Sequence, residues 1–366
     1  MYMVAAFNRA LESISKVVDG YDLNAKEAAE TFSFIFRHDH EGFIFTAFTC
    51  ALHAKGETED ELFGLCQSTK QLGIQLSLNV SPDLCTDLSG TGGSRIKTIN
   101  VSTAAAFLVS AAGITVAKQA GFAQTSPTGS GDVFIAFGIN PLQLSPVKVE
   151  ETLETVGICP YFLSAMSPQL KNRSKIARSI YSEKGLRVRS PFHLAMFAYS
   201  AVPMTNRIYG CYDERYLEIL GHLFHRLGYN RTLVLHGVGG IPEASNVGDT
   251  IIVEQKDCRI NKYILTPGDF DVKKSPVDSI HSGGPDQNII DLLNVLSGRE
   301  TGPKRDLVLV NASASLSVMG VVKNVYEGTH LARQIIYSGQ AYQKLEHLVE
   351  HLGCTKKLRD WEKRCG

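Results

Sequence analysis

The sequence has no excess of charge of either sign. Lys plus Arg and Asp plus Glu both number 37, so the formal net charge is +0 at pH 7. A balanced charge removes the bulk attraction that draws proteins to nucleic acids and to anionic membrane surfaces. An anion that binds this protein must therefore be held by local geometry.

Long hydrophobic runs are also lacking. No stretch approaches the ~20 consecutive apolar residues that a membrane-spanning helix requires. The apolar residues 1–7 are followed at once by Asn8 and Arg9, lack a basic leader, and are too few for the apolar core of a signal peptide. We therefore expect a soluble cytoplasmic protein with no membrane partner.

Paired cysteine motifs are missing too. The chain has eight cysteines, and no two of them form a C-x-x-C pair. This scattered pattern argues against a zinc ribbon and against a small disulfide framework. Reduced thiols in a cytosolic protein are the expected state.

The chain is long and apolar enough to fold without a structural metal or disulfides. It has 366 residues, of which 44% are hydrophobic and 20% charged, enough for one large domain or two modest ones. Residues 5–72 contain no Pro and carry apolar side chains at helical spacing, for example Phe32, Ile35 and Phe36. This region is predicted to be a unit of several short helices.

Strand and helix patterns alternate after residue 82. Residues 84–88 are predicted to be a strand, 89–94 a glycine loop and 99–108 an Ala-rich helix. A helix is predicted over 132–137, and further strands over 114–117, 232–236 and 306–310. Strands separated by helices indicate an α/β fold with a mostly parallel sheet covered on both faces.

The loop Gly90-Thr91-Gly92-Gly93-Ser94 is the first candidate for a binding site. Without side chains, such a loop lets backbone N–H groups converge on a phosphate at the positive end of the next helix. It matches neither the dinucleotide fingerprint nor the P-loop, and a tight turn is the simpler alternative. Polar residues that follow favour a phosphate ligand: Asn100, Ser102 and Thr103 at the helix start, and Lys118 at the end of the next strand.

These motifs together resemble the anthranilate phosphoribosyltransferases and their nucleoside phosphorylase relatives. In that family a G-T-G-G-D loop, an N-x-S-T segment and a K-H-G-N-R strand end bind phosphoribosyl pyrophosphate. Here they correspond to residues 90–94, 100–103 and 118–122. The resemblance covers nearly the whole chain. It implies a small all-helical domain and a larger α/β domain with a mostly parallel central sheet.

The resemblance also implies domain boundaries and a dimer. Residues 1–78 would form the helical domain, joined by a returning segment at about 164–190. Residues 79–163 and 191–366 would form the α/β domain that binds the donor. In the family the helical domain makes the homodimer contact, so a homodimer is expected here.

Site residues follow from the same resemblance. Magnesium would be held by Ser102 and Glu243, and Lys118 and Arg178 are the catalytic candidates. The acceptor would contact Gln119, Gly121 and Arg178. Phosphoribosyl pyrophosphate would contact Gly90, Thr91, Gly92, Gly93, Ser94, Thr98, Asn100, Ser102, Thr103, Lys118 and Ser130.

The acceptor side departs from the family pattern. The His, Asn and Arg of K-H-G-N-R fall on Gln119, Gly121 and Phe122, so groups that would contact a charged aminobenzoate are gone. The family's F-N-x-L-G-P segment has likewise become residues 192–196, Phe-His-Leu-Ala-Met. The inference is a phosphoribosyltransferase with a different acceptor, or a pocket that no longer serves one.

The metal side departs as well. The family's Asp-Glu pair on the loop after the H-G strand is reduced to Glu243, and Ser94 replaces the Asp of the glycine loop. A divalent ion often takes one or two carboxylates plus substrate phosphates and water, so one magnesium is expected and a second is doubtful. Glu243 has two other interpretations, a solvated loop carboxylate and a helix cap.

Several residues keep simpler structural explanations. Ser130 and Asp132, at the end of the polar stretch 125–132, are predicted to cap a helix, although the stretch also suits a mobile flap. His236 could act as a base, but a structural role at a strand end is favoured. The basic residues between 171 and 189 suit a solvated helical face at least as well as a ligand.

Two other functions stay open. A nucleoside or nucleotide phosphorylase would keep the glycine loop for phosphate, although the extra C-terminal domain of the pyrimidine enzymes is not found here. A relative that has lost catalysis would bind a protein partner or nucleic acid through the basic stretch. The neutral charge makes nucleic acid a weak expectation without excluding it.

Overall fold

The computed structural model describes residues 2–122, 128–183, 185 and 189–365; within these, the side chains of residues 2–5, 168, 174, 178, 181 and 182 are not described. The chain opens with four helices, as predicted: α1 (Tyr2–Val18), α2 (Ala25–His38), α3 (Phe43–Lys55) and α4 (Glu59–Leu72). None of the described helices is long and apolar enough to cross a bilayer.

The local sequence explains the start of α2 and α4 and their close contact. Asn24 and Thr58 each accept hydrogen bonds from the first turn, and Glu27 and Glu61 bind back to the cap backbone, so both helices begin with a capping box. A Cβ on Gly64 would lie 2.5 Å from the Cβ of Ala28, so only glycine allows this approach of α4 to α2.

The returning segment packs on this helical unit. It contains α8 (Pro168–Ala177), a π-helical turn (Arg178–Glu183) and α9 (Pro191–Ala195). Helix α8 contacts α2 and α4, and α9 contacts α3 and α4. The contact therefore extends beyond residue 190, while the proposed domain boundaries themselves stay a prediction.

Two sheets form the α/β region, and most of their pairings are parallel, which confirms the predicted fold class. The first sheet has the order β1-β3-β4, all parallel, and the second has the order β2-β5-β6-β7-β8, of which the last two pairings are antiparallel. The strands are β1 (Cys85–Thr86), β2 (Leu88–Gly90), β3 (Thr115–Gln119), β4 (Ile158–Tyr161), β5 (Asn206–Gly210), β6 (Arg231–Gly237), β7 (Thr250–Lys256) and β8 (Arg259–Leu265).

Helices cover these sheets. The Ala-rich helix α5 (Val101–Ala111) is buried along most of its length and contacts α12 and α14. Its small side chains allow neighbours on several sides. The other helices are α6 (Ser130–Ala136), α7 (Pro146–Thr155), α10 (Leu217–Arg226), α11 (Pro285–Leu296), α12 (Pro303–Val318), α13 (Val325–Tyr337), α14 (Gln340–Leu352) and α15 (Thr355–Glu362).

Three predictions of local structure need correction. The strand predicted at 306–310 is wrong, because these residues lie within α12, which is buried from Leu307 to Val318. A short apolar run cannot distinguish a buried strand from a buried helix by periodicity. The strand predicted at 84–88 is divided between β1 and β2, which join different sheets on either side of Asp87. The antiparallel hairpin β7–β8 was not predicted.

Candidate active site

A cavity of about 1080 Å³ opens at the carboxyl ends of β2 and β3. Ligands of open α/β sheets bind at this edge, outside the ends of the strands. One wall comes from the glycine loop, the start of α5 and the loop at Glu243. The opposite wall comes from the turn after β4 (162–165) and from α8 and α9, and these two helices lie against the helical unit. The cavity is thus a cleft between the two parts of the chain.

The glycine loop offers unused backbone donors to this cavity. Its ends are fixed, because Thr91 N donates to Gly210 O (2.8 Å) and Arg95 N donates to Gly240 O (3.1 Å). Between them, the N–H groups of Gly92, Gly93 and Ser94 make no hydrogen bond to any described residue. Gly92 and Gly93 have φ values of +62° and +77°, a conformation that favours glycine. Consecutive free N–H groups are the donors from which anion-binding nests are formed, and residues 92–94 are named the nest below.

Glycines bring the adjoining backbones close to this nest. A Cβ on Gly90 would lie 2.4 Å from Gly210 O, and a Cβ on Gly210 would lie 1.7 Å from Pro242 O. Side chains at these two positions would push β2, β5 and the loop after β6 apart. The glycines therefore place Glu243, next to Pro242, at the same cavity.

Lys118 places a positive charge in the lining of the same cavity. It is almost fully buried at the end of β3, and its Nζ donates to Leu88 O at 2.9 Å. Burial lowers the pKa of Lys118, while the carboxylates of Asp87 and Glu243 oppose this shift. Asp87 itself pairs with the buried Arg207 at 3.0 Å. The strand end is thus a low-dielectric environment in which a nearby anion interacts strongly with the ammonium group.

Glu243 fits a site for one divalent ion. Its Oε2 is buried and has no hydrogen-bond partner among the described residues, and burial raises the pKa of the carboxyl to about 7 while Lys118 opposes this. Ser102 lines the same cavity. The described residues contain no cluster of three or more His, Cys, Asp or Glu that could hold a metal. An ion here would take its remaining ligands from phosphate oxygens and water, as Mg²⁺ commonly does.

The structure brings nearly all the predicted donor, acceptor and metal residues to this cavity. Of the predicted residues whose side chains are described, Thr103 alone does not line the cavity. Thr103 is fully buried in α5 and does not line the cavity, because it is turned about 100° around the helix from Ser102. The side chain of Arg178 lies outside the described residues. The predicted residues that line the cavity are Gly90, Thr91, Gly92, Gly93, Ser94, Thr98, Asn100, Ser102, Lys118, Gln119, Gly121, Ser130 and Glu243.

Local hydrogen bonds account for several of these residues. Asn100 Nδ2 donates to Asn288 Oδ1 at 2.8 Å, which fixes the start of α5. Asp132 accepts a hydrogen bond from Gly129 N at 2.8 Å, so its predicted capping role in α6 is confirmed. Residues 125–127 of the polar stretch lie outside the described chain. His236 Nδ1 lies 2.8 Å from Cys211 O, consistent with the structural role favoured for it.

The wall beyond β3 is apolar and aromatic. Gln119 is buried, and its Oε1 has no hydrogen-bond partner among the described residues. The rings of Phe122 and Phe162 lie 4.8 Å apart, and a Cβ on Gly121 would be 3.1 Å from the ring of Phe197. Sequence reasoning missed Phe162 and Phe197, because the segments that follow β4 and α9 carry no motif that marks them.

His193 of α9 also lines the cavity. Burial, with a smaller contribution from the nearby Arg189, lowers the pKa of His193 to about 4. The ring is therefore uncharged at neutral pH. It does not replace the positive charge of the family's Arg, whose position Phe122 occupies in this chain. Arg189 stacks on Tyr212 at 3.8 Å and donates to Gly93 O at 2.9 Å, so it supports the glycine loop from behind.

The basic segment is not the uniform solvated face that was one expectation. Lys171 and Lys175 are exposed and line the cavity mouth, whereas Arg173 between them is almost fully buried. Residues 184 and 187 of this segment lie outside the described chain. A buried Arg in a basic run gives no signal in the sequence, because its burial depends on the packing of α8 against α2 and α4.

Comparisons with known proteins identify the family to which this architecture belongs. The model of the glycosyl transferase family α/β domain matches residues 83–342, and the model of that family's helical bundle domain matches residues 11–73. Anthranilate phosphoribosyltransferase of Methanosarcina acetivorans is 35% identical over 333 residues, covering 91% of this chain and 87% of that protein. The enzyme of the same name from Exiguobacterium sibiricum is 34% identical and covers 92% and 96%. The chain belongs to the anthranilate phosphoribosyltransferase family.

Solved structures of this family agree with the fold. The anthranilate phosphoribosyltransferase of Thermus thermophilus superimposes with a TM-score of 0.82 at 28% identity, covering 93% of this chain and 98% of that one. The Saccharomyces cerevisiae enzyme, solved in complex with PRPP (phosphoribosyl pyrophosphate) and Mg, gives a TM-score of 0.80 at 22% identity and covers 94% and 97%. This member of the anthranilate phosphoribosyltransferase family is a glycosyltransferase of the pentosyltransferase class.

Proposed function

We propose that the protein transfers the phosphoribosyl group from phosphoribosyl pyrophosphate to an acceptor bound in the cavity. The observation that carries this proposal is the row of three free N–H groups at Gly92, Gly93 and Ser94, which line the same cavity as the buried Lys118. The yeast relative, whose structure was solved in complex with PRPP and Mg, supports the same donor. A diphosphate is the part of this donor that a nest of main-chain donors suits.

The chemistry demands orientation and charge stabilisation. The bond between the anomeric carbon and a pyrophosphate oxygen breaks, the acceptor nucleophile forms the new bond to that carbon, and the nucleophile loses its proton. Positive charge develops on the sugar ring as pyrophosphate leaves with the bonding electrons. The backbone donors and Lys118 bind the leaving group, and the opposite wall presents the acceptor. No covalent protein nucleophile is required.

Magnesium, when bound, neutralises charge on the diphosphate and makes it a better leaving group. Ser102 and Glu243 are the residues proposed to hold it. The orphaned Oε2 of Glu243 supplies the observation from this chain. With one carboxylate in place of the family's two, we propose a single ion rather than two.

We further propose that the acceptor pocket differs from that of the relatives. Gln119, Gly121 and Phe122 present an amide, bare backbone and a ring where the family pattern has His, Asn and Arg. Because Gln119, Gly121 and Phe122 offer no charged donor, an acceptor carboxylate would find no ionic partner at these three positions. Arg178 stays a predicted acceptor contact.

A homodimer through the helical unit is proposed as well. Phe7, Leu11 and Val18 recur along α1 and are 40%, 42% and 66% exposed, which leaves an apolar stripe uncovered in one chain. Analytical ultracentrifugation that gives the mass of a dimer for the wild type and the mass of a monomer for Leu11→Glu would support this arrangement. Monomeric wild type at micromolar concentration would refute it. The cytoplasmic location also stays a prediction.

Ligand-induced stabilisation tests the function against its alternatives. A ligand that binds only the folded protein raises its melting temperature. We expect phosphoribosyl pyrophosphate with Mg²⁺ to stabilise strongly, inorganic phosphate weakly, and single-stranded DNA not at all. Pyrophosphate release would then be measured across a panel of acceptors. Stabilisation by DNA alone, or phosphorolysis of nucleosides without pyrophosphate release, would overturn the proposal.

A further inference from the structure

Among the side chains that the structure describes, two arginines are almost completely buried, and their surroundings differ. Arg207 forms an ion pair with Asp87 at 3.0 Å and donates to Ser89 Oγ, Ala198 O and Tyr229 OH. Burial disfavours its charge, but Tyr229 and Asp87 outweigh burial, so the pKa of Arg207 lies above its usual range. Its charge is therefore satisfied within the protein.

Arg173 has no comparable partner. Its Nη1 donates to Thr69 Oγ1 at 3.0 Å, and it makes no ion pair with any described carboxylate. Its guanidinium lies 5.5 Å from the ring centre of Phe36 and 5.0 Å from that of Phe192. The Nε atoms of both arginines lack a hydrogen-bond partner, so the missing acid is the real difference. Burial lowers the pKa of Arg173 to about 10.

A buried cation without an anion is costly. Desolvation of a charge is offset only by pairing and hydrogen bonds, and two aromatic rings with one hydroxyl replace little of the lost hydration. Such a group persists at a functional site when a ligand completes it. Arg173 lines the same cavity as the glycine loop, on the α8 side, and Lys171 and Lys175 lie at its mouth.

We propose that Arg173 is the anion-binding group of the acceptor side and binds a carboxylate of the acceptor. This rests on the proposed function, because the carboxylate belongs to the molecule that receives the phosphoribosyl group. The wall at Gln119, Gly121 and Phe122 has lost its charged donors, and α8 supplies one elsewhere in the cavity. The planar guanidinium has paired N–H groups that match the two oxygens of a carboxylate.

This placement has a consequence for acceptor shape. The carboxylate would lie against α8 rather than beside Lys118 at the end of β3. The position of Arg173 would then set the separation between the acceptor's nucleophile and its carboxylate. Among aminobenzoates, the isomer that binds best reports this separation.

The test compares acids with their neutral amides. The 2-, 3- and 4-aminobenzoates and the corresponding aminobenzamides are titrated into the protein saturated with phosphoribosyl pyrophosphate and Mg²⁺, with the nonreactive benzoate and benzamide as a further pair. For wild type we expect at least one acid to bind about tenfold or more tightly than its amide, since hydrogen bonds to charged groups exceed neutral ones. Arg173→Met should bring this ratio to about one, and Arg173→Lys should retain part of it.

Stability of the unliganded variants separates this role from a structural one. Because removal of an uncompensated buried charge relieves a desolvation cost, Arg173→Met should melt at the wild-type temperature or above. Arg207→Met is the matched control and should melt far lower, because it leaves Asp87 buried without its partner. A large fall in melting temperature for Arg173→Met, with the acid preference kept, would show that Arg173 merely packs between Phe36 and Phe192.

Donor affinity keeps the two proposals apart. Arg173→Met should bind phosphoribosyl pyrophosphate as tightly as wild type, and weakened donor binding with an unchanged acid preference would assign the group to a donor phosphate and overturn the proposal. Should wild type fail to bind the donor, the proposed function fails, and the acid and amide pairs are titrated into the unliganded protein. Absence of any acid preference in wild type overturns the Arg173 proposal in either setting.

Discussion

The two walls of the cavity are built from different materials. The donor wall consists largely of backbone: the free N–H groups at Gly92, Gly93 and Ser94, held by contacts at Gly90 and Gly210 that a Cβ would prevent. The proposed acceptor wall consists of side chains from β3, the turn after β4, α8 and α9. A backbone site keeps its function while glycine keeps its conformation, whereas a side-chain site changes with each substitution. This difference explains how one half of a site can match its family while the other departs from it.

The largest effect is expected from a substitution in the glycine loop of the donor wall, which should weaken donor binding. Gly92→Asp places a carboxylate where nothing lies within 4 Å of the new Cβ, so the side chain has room at the cost of strain from the positive φ, and its charge repels the diphosphate. We expect calorimetry to show at least a hundredfold weaker binding of phosphoribosyl pyrophosphate. Gly113→Asp is the control, because Gly113 also has a positive φ and open space but lies at the far end of α5. Retained affinity in Gly92→Asp would refute the nest.

A second prediction concerns the metal side of the donor wall. Glu243→Gln keeps the shape of the side chain and removes its charge, so the gain in donor affinity on adding Mg²⁺ should fall about tenfold or more. Donor affinity without magnesium should change much less. Titrations of both proteins with Mg²⁺ at fixed donor give the comparison. An identical magnesium dependence would exclude Glu243 as a ligand.

The third prediction concerns the acceptor wall. Wild type should turn over anthranilate poorly, because Gln119 and Phe122 replace charged or polar donors of the family pattern. Gln119→His combined with Phe122→Arg should raise kcat/KM for anthranilate about tenfold or more without changing donor affinity. Gly121 is left unchanged, since a Cβ there meets Phe197 at 3.1 Å. Ordinary anthranilate kinetics in wild type would contradict the altered pocket.

The smallest predicted effect is a pH dependence of stability in the unliganded protein. Burial raises the pKa of Glu243 from 4.5 to about 7, so the folded state holds this proton more tightly than the unfolded state. The stability that this group contributes is present below pH 4.5 and is lost as pH rises towards about 7, by up to roughly 1.4 kcal/mol per pH unit. Glu243→Gln should therefore melt above wild type at pH 8 and converge with it near pH 5. Parallel melting curves across this range would contradict the shift.

The sequence predicted the donor wall better than the acceptor wall for a physical reason. Gly90, Asn100, Lys118 and Glu243 lie in short motifs at strand ends and helix starts, where local pattern and the family resemblance both apply. Phe162, Phe197 and Arg173 reach the cavity through packing between distant segments, which no local pattern records. The unpaired state of Arg173 depends on every neighbour that α8 meets.

The fold shows the same limit. The helical start and the alternation after residue 82 were predicted from periodicity and glycine loops. The strand at 306–310 was wrong, because the apolar run of α12 is buried on all sides and carries no helical polarity. The turn of the antiparallel hairpin β7–β8, at residues 257–258, contains no glycine that would mark it in the sequence.

The most direct measurement is the structure of the protein with phosphoribosyl pyrophosphate and Mg²⁺. Diphosphate oxygens should lie within hydrogen-bond distance of the backbone nitrogens of Gly92, Gly93 and Ser94, with the Lys118 ammonium nearby. A donor bound elsewhere in the cleft, or a loop whose N–H groups stay unused while the donor is bound, would contradict the account.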